Sequence, residues 1–471
     1  MMRIRVIPLE WKRSILCGTL SSVLTVLAGT AGAETIEGAL AKAYNNNPTL
    51  NSERAIVRAT DENVPQALSG YRPRITATME AERSTVENRT VNPLTTQTAI
   101  NSNDLTTRGV GLNVRQTIFN GNRTRNETRT AESEVLAARE TLRNVEQNTL
   151  LDAAEAYMNV LYTSAILDLR KNNLRFLRAE LEATRERFRA GVVTRTDVAQ
   201  AEASVAGAVS EISLAEESLA AARANYREVV GEEAQNLSAG RAIDRLLPKT
   251  LPEAVDLGLR DHPAVKAALH GADAASLRVK AIESELLPTL SVQGNVSAYL
   301  DPQVNVQRSR SASLLGVLTV PIYEGGQTYS RARQAKESYG ARRLDADAKR
   351  NQVRAAVVSS WATLASAKSQ IASATAQIDA AGLALSGVQE ELKVGERTTN
   401  DVLNAQLTLL TAQTFLVQAQ RDRIVASYSL LSAVGGLTAD RLGLRVQRYN
   451  PSTHYNQVRD KWWGLRTPSG Q

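Results

Sequence analysis

Cysteine is almost absent. The 471-residue chain has one, Cys17, which excludes a disulfide scaffold, a thiolate zinc site and a dithiol redox centre. Histidine is nearly as scarce: of His262, His270 and His454, only His270 has a carboxylate, Asp273, at helical ligand spacing. Two ligands do not make a metal site. Aromatic residues are 4% of a chain long enough for two or three domains. The chain has no Walker-type loop, no dinucleotide glycine fingerprint and no Gly-x-Ser-x-Gly elbow, so it carries no signature of an enzyme or of a cofactor. Past the N-terminal segment no apolar run is long enough for a transmembrane helix. Any membrane crossing then falls to strands.

Nor is there an excess of positive charge where it would matter for nucleic acid. The net charge is +7, but residues 1–33 hold four basic side chains against one acidic, and residues 437–471 hold six against two. The stretch between them has 46 of each sign. Nucleic acid is therefore not an expected partner. The first segment reads as a secretory signal: Arg3, Arg5, Lys12 and Arg13, then an apolar core, then Ala31-Gly32-Ala33 as a small-x-small cleavage site before Glu34. Removing it leaves an exported, cysteine-free chain.

What is present is an internal duplication. Thr35, Ala39, Pro48 and Pro73 match Thr250, Ala254, Pro263 and Pro288 at an offset of 215, and QTIFNGNR matches VPIYEGGQ at an offset of 204. The offset drops by 11 within the first half, so an insertion lies there. Residues 87–107, rich in Asn and Thr, are the expected site and read as an exposed loop. The chain divides into a signal peptide (1–33), a first repeat (34–249), a second repeat (250–436) and a basic tail (437–471). The tail reads as disordered or wrapped on the outside.

Each repeat reads as helix, strand, strand, long helix, turn, helix. Alternating polarity predicts strands over 74–83, 109–118, 289–300 and 314–323, each the length a tilted membrane strand needs. Four strands cannot close a barrel, and an open edge cannot face lipid. Several chains must share one barrel, and three would supply twelve strands. Between Asn122 and Ala190 there is no Gly or Pro, which predicts a helix about 100 Å long. Leu151, Ala154, Met158, Leu161 and Ala165 mark a coiled-coil seam that Asp168 interrupts and Leu174, Leu177, Leu181, Thr184 and Phe188 resume. The second long helix repeats it through Trp361, Leu364, Ile371 and Ile378, loosened by Gly382 and Gly387.

Two motifs recur: Phe188-x-x-Gly191-x-x-Thr194-x-x-Asp197-Val198 and Leu392-x-x-Gly395-x-x-Thr398-x-x-Asp401-Val402. Gly ends one helix in a left-handed cap, Thr caps the next, and Asp closes a capping box, giving a sharp helical hairpin. In the other repeated motif, Phe119 and Tyr323 precede glycine turns. These rings, with Tyr71, either pack locally or form an aromatic girdle at a membrane boundary.

The duplicated layout, the hairpin motifs and the signal peptide together resemble the TolC-type outer-membrane channel family over nearly the whole mature chain. The resemblance implies a homotrimer: an all-α coiled-coil tunnel in the periplasm plus a shared twelve-stranded transmembrane β-barrel in the outer membrane. It implies partnership with a periplasmic adaptor and an inner-membrane pump or ABC exporter, and a passive role as exit duct in efflux or type I secretion. By the same resemblance Asp197 and Arg397 would link the hairpins at a periplasmic gate, and Asp401 would supply an acidic ring. The second ring position is Asn404 and a family tyrosine position is Leu392, which implies weaker cation block and fewer restraints. The turns at Gly191-Val192 and Gly395-Glu396 would receive the adaptor. The rival reading, a soluble periplasmic coiled-coil scaffold or adaptor, leaves four paired amphipathic strands unexplained.

Overall fold

The glycine-free and proline-free stretch folds as one helix. The computed structural model describes residues 33–91, 93–468 and 470; the predicted signal peptide, apart from Ala33, lies outside the described residues. The elements in chain order are α1 (Ile36–Asn46), α2 (Pro48–Asp61), α3 (Asn63–Leu68), β1 (Arg74–Val91), β2 (Thr98–Asn120), α4 (Arg123–Arg189) and α5 (Arg195–Val230). They continue as α6 (Leu251–Asp261), α7 (Pro263–Glu283), β3 (Thr289–Gln303), β4 (Val306–Thr319), α8 (Gln327–Lys393), α9 (Thr399–Ala433) and α10 (Pro451–Val458).

Helices α4 and α8 have 67 residues each, about 100 Å at 1.5 Å per residue. Each folds back through a tight turn onto α5 or α9. Their contact is a coiled-coil seam at intervals of seven: Ala153, Val160, Leu167, Leu174 and Leu181 are buried on α4, and Ala201, Ala208 and Ala215 on α5. The break expected at Asp168 does not exist, because Leu167 carries the repeat and Asp168 points to solvent. Leu364, Leu385 and Leu392 continue the same period on α8. That helix is unbroken at Gly382 and Gly387, where an added Cβ would meet nothing.

The four strands form one antiparallel sheet in the order β1-β2-β3-β4. Its central pair, β2 with β3, joins the two repeats. The strands are longer than expected toward both hairpin ends, with β3 running on to Gln303 and β4 beginning at Val306. Residues 87–107 are mostly strand: the register runs from Arg83↔Thr106 out to Val91↔Thr98, so the insertion lengthens a hairpin instead of forming a loop. Thr and Val favour extended backbone, and a hairpin solvated on both faces needs no apolar period. At the other end β4 stops at Thr319, because Pro321 has no N–H to give to the ladder. Tyr323 therefore lies past the strand.

A collar of short helices surrounds the long ones near their middle. Leu40, Tyr157, Val357, Leu430 and Leu431 are buried in one core. The tail is ordered on this collar: Arg54 lies between the rings of Tyr44 and Tyr449, 4.4 and 5.5 Å from their centroids.

Pro48 and Pro263 split the collar helices at equivalent places in the two repeats, and the residue before each caps the next helix. Asn47 Oδ1 accepts from the Thr49 and Leu50 amides. In the second repeat His262 Nδ1 accepts from the Ala264 amide at 3.1 Å. An accepting Nδ1 requires a neutral ring, and burial lowers the His262 pKa to about 4. The folded-state pKa is depressed, so this cap stabilises fully above the unfolded value of about 6.5. Its contribution is lost as pH falls toward 4. Thermal unfolding at pH 7 and pH 5 checks this: His262→Asn should hold stability and flatten the pH profile, while His262→Ala should cost about 1 kcal/mol at neutral pH.

Candidate channel wall and periplasmic entrance

The strand register sorts side chains onto two unlike faces, since residues directly opposite each other share a face. Ile75, Val114, Gly294 and Leu314 form one row, and Ala77, Leu112, Val296 and Ala312 the next. The rows of the other face read Thr76, Asn113, Asn295 and Ser313, then Thr78, Gly111, Ser297 and Ser311. One face is apolar and exposed, with Met79 86% and Leu314 81% accessible. The other is polar. This is the alternation of a barrel wall between lipid and water.

The apolar face has defined ends. On β3 it runs from Leu290 to Leu300, eleven residues in register with β4; at about 3.3 Å per residue and a 45° tilt that spans about 25 Å. At one end Leu300 is flanked by Arg108 and Arg308, and Ala298 by Arg310. At the other end the β2–β3 register slips between Thr117 and Phe119, so that Phe119 pairs with Leu290. This bulge turns Phe119 onto the apolar face, where simple alternation would have placed Ile118. Phe119, Tyr71 and Tyr323 are all exposed at this end.

The hairpin tips lie at the far end of the long helices. Gly191 has φ +76° and Gly395 φ +84°, the left-handed caps that the repeated motif requires. Thr194 and Thr398 cap α5 and α9, each in a complete capping box with Asp197 or Asp401. Asp197 Oδ2 accepts from the Thr194 amide at 2.8 Å and hydroxyl at 2.7 Å. Asp401 Oδ2 accepts from the same groups of Thr398, both at 2.9 Å. Those bonds, and then Arg397, hold the Asp401 carboxyl below the usual carboxylate range. Its cap therefore persists above the unfolded value of about 3.9 and is lost only as pH falls through the lower folded value.

Arg397 is engaged differently from expectation. Its Nε donates to Glu391 on α8 at 2.8 Å, while Asp197 is occupied by its own cap. Among the described residues the chain forms no Asp197–Arg397 bond. The links that do join the hairpins lie along the helices: Gln406 Nε2 donates to Asn173 Oδ1 at 3.0 Å, and Arg421 Nη2 to Asn159 Oδ1 at 2.7 Å. Sequence reading missed both, for each joins a side-chain amide to a residue on a distant helix and no local pattern marks the pair. Asn404, Val192, Val394 and Glu396 are exposed, leaving the turns bare.

The sequence profile of the outer membrane efflux protein family matches residues 39–232 and 254–436 of this architecture. The chain belongs to the outer membrane efflux protein family. It is 44% identical to the outer membrane efflux protein BepC of Brucella suis over 95% of each chain. The outer membrane protein TolC of Vibrio cholerae is 26% identical over 89% of this chain and 94% of its own. Among solved structures, the Campylobacter jejuni CmeC outer membrane channel superposes with a TM-score of 0.76 at 15% identity, covering 90% of this chain and 89% of that one. Membership of the outer membrane efflux protein family places the chain in the outer membrane, its strands as channel wall and its long helices reaching into the periplasm.

Proposed function

We propose that three copies form the exit duct of a tripartite efflux or type I secretion machine. The observation that carries this reading is the sheet: one face apolar for about 25 Å, the other polar, and both edge strands unpaired within the chain. Such edges cannot face lipid. Three sheets joined edge to edge give twelve strands with an aqueous lumen. The duct is passive. Energy and substrate choice come from an inner-membrane pump or ABC exporter, joined through an adaptor that docks on the bare turns at Gly191, Val192, Gly395 and Glu396. The efflux designation of BepC supports efflux as the main task.

At the periplasmic entrance Asp401, repeated by threefold symmetry, forms an acidic ring. A ring of one sign in a narrow throat concentrates cations. Arg397 holds the second hairpin closed through Glu391 in this protomer and through Asp197 across the assembled gate. With Asn404 in place of a second carboxylate, divalent block is weak.

Single-channel recording in planar bilayers tests the entrance. Arg397→Ser should raise conductance several-fold, Asp401→Ala should remove cation preference, and Asn404→Asp should deepen divalent block. If all three conduct and block as the parent does, the entrance lies elsewhere.

A further inference from the structure

The basic tail ends in a place that its sequence does not explain. From α10, packed on α2, it runs past Glu132, where Arg459 makes an ion pair at 3.6 Å. It then reaches the foot of the sheet. Arg72 Nη1 donates to the Lys461 carbonyl at 2.8 Å, and the Arg72 guanidinium lies 4.8 Å from the centre of the Trp462 ring. Arg72 is two residues before the start of β1, hence within about 7 Å of it along the chain. Tyr71, its neighbour, is tied to β2 by a hydrogen bond from Gln116 to its carbonyl. Past this clamp Trp462 is largely exposed, Trp463 is 85% accessible and Leu465 is fully so.

We propose that this tip is an interfacial anchor whose ligand is the phospholipid surface of the periplasmic leaflet. The proposal rests on the reading that the strands cross the membrane. Indole rings favour the headgroup level, where the ring body is apolar and the N–H is wet. The clamp fixes Trp462 and Trp463 at the level of Tyr71 and Phe119, the aromatic end of the apolar wall. Lys461 and Arg466 flank the rings and suit headgroup phosphates. The anchor ties the collar to the membrane through the tail, outside the barrel.

The test uses the channel in phosphatidylethanolamine–phosphatidylglycerol vesicles shown to conduct. After signal removal the tryptophans are Trp361, Trp462 and Trp463, so Trp361→Phe leaves the tip as sole reporter. Lipids brominated near the head of the acyl chain should quench its emission by about twofold, as expected for indoles at the interface. Adding Trp462→Ser and Trp463→Ser should remove the quenched emission while conductance is kept. Emission unaffected by bromolipid in conducting vesicles overturns the anchor: quenching by aqueous acrylamide instead means a solvated tip, and quenching by neither means that a second copy covers it. Vesicles that fail to conduct even with Arg397→Ser in the background overturn the transmembrane reading, and the anchor with it.

Discussion

Leu314→Arg should reduce heat-resistant outer-membrane oligomer to a small fraction of the parent level, whereas Ser313→Arg, one residue away, should leave it in place. Both side chains lie on β4, and both variants add the same charge. They differ only in face. Leu314 shares its row with Gly294, Val114 and Ile75, and Ser313 shares its row with Asn295, Asn113 and Thr76. Leu314 is also midway along the wall, four residues from both Leu318 and Arg310. An arginine on the lipid face at the bilayer midplane costs about 2–4 kcal/mol, or about 6–12 kcal/mol for three copies in one barrel. On the water face the guanidinium stays hydrated. Quantitative gel analysis of unheated membranes from the two strains decides the matter: equal loss in both, or no loss in either, contradicts the assignment of faces.

His454→Ala should release the tail. Asp61 is fully buried, its Oδ2 lying 3.0 Å from His454 Nδ1 and its Oδ1 3.9 Å from Arg139. Burial pushes the Asp61 carboxyl up, and the bond with His454 opposes this most. Deleting the imidazole leaves a buried carboxylate with one distant partner. Leaving a buried carboxylate without its hydrogen bond costs about 1–3 kcal/mol, enough to loosen a single short helix on a collar. Trypsin should then cut at Arg445 and Arg448 about 10-fold to 100-fold faster, because cleavage follows the open population. Replacing both partners, as Asp61→Leu with His454→Leu, should recover much of the protection. A single variant that resists trypsin like the parent would show that Arg54 and its two tyrosine rings hold the tail alone.

The parts legible in the sequence were those set by neighbours along the chain. The capping boxes at Thr194/Asp197 and Thr398/Asp401 are closed within four residues, and the helix over Arg123–Arg189 follows from having no breaker. The apolar strand faces were legible for the same reason, since alternation is local. What escaped depends on residues far apart. The slip that turns Phe119 onto the apolar face exists only in the pairing of β2 with β3. The seam runs through Leu167 and not past Asp168 because α5 approaches from that side. The Gln406–Asn173 link and the stacking of Arg54 on Tyr449 join residues hundreds of positions apart. No local pattern announces them. At the entrance, the family resemblance named Arg397 with Asp197 as its partner, while the bond that Arg397 makes within the chain, to Glu391 six residues before it, was not foreseen.

The oligomer is the central claim, and the described residues contain no cysteine, so a Cys17→Ser background allows a direct measurement. Within one chain β1 and β4 are separated by two strands, hence by about 14 Å, too far for a disulfide between them. Across a shared barrel they are neighbours. One cysteine at Thr78 on β1, combined in turn with one at Ser309, Ser311 or Ser313 on β4, should on oxidation give covalent dimer and trimer bands for the position in register. The ladder should stop at three. Monomer alone at every position, or a ladder extending past three, would contradict a twelve-stranded barrel built from three chains.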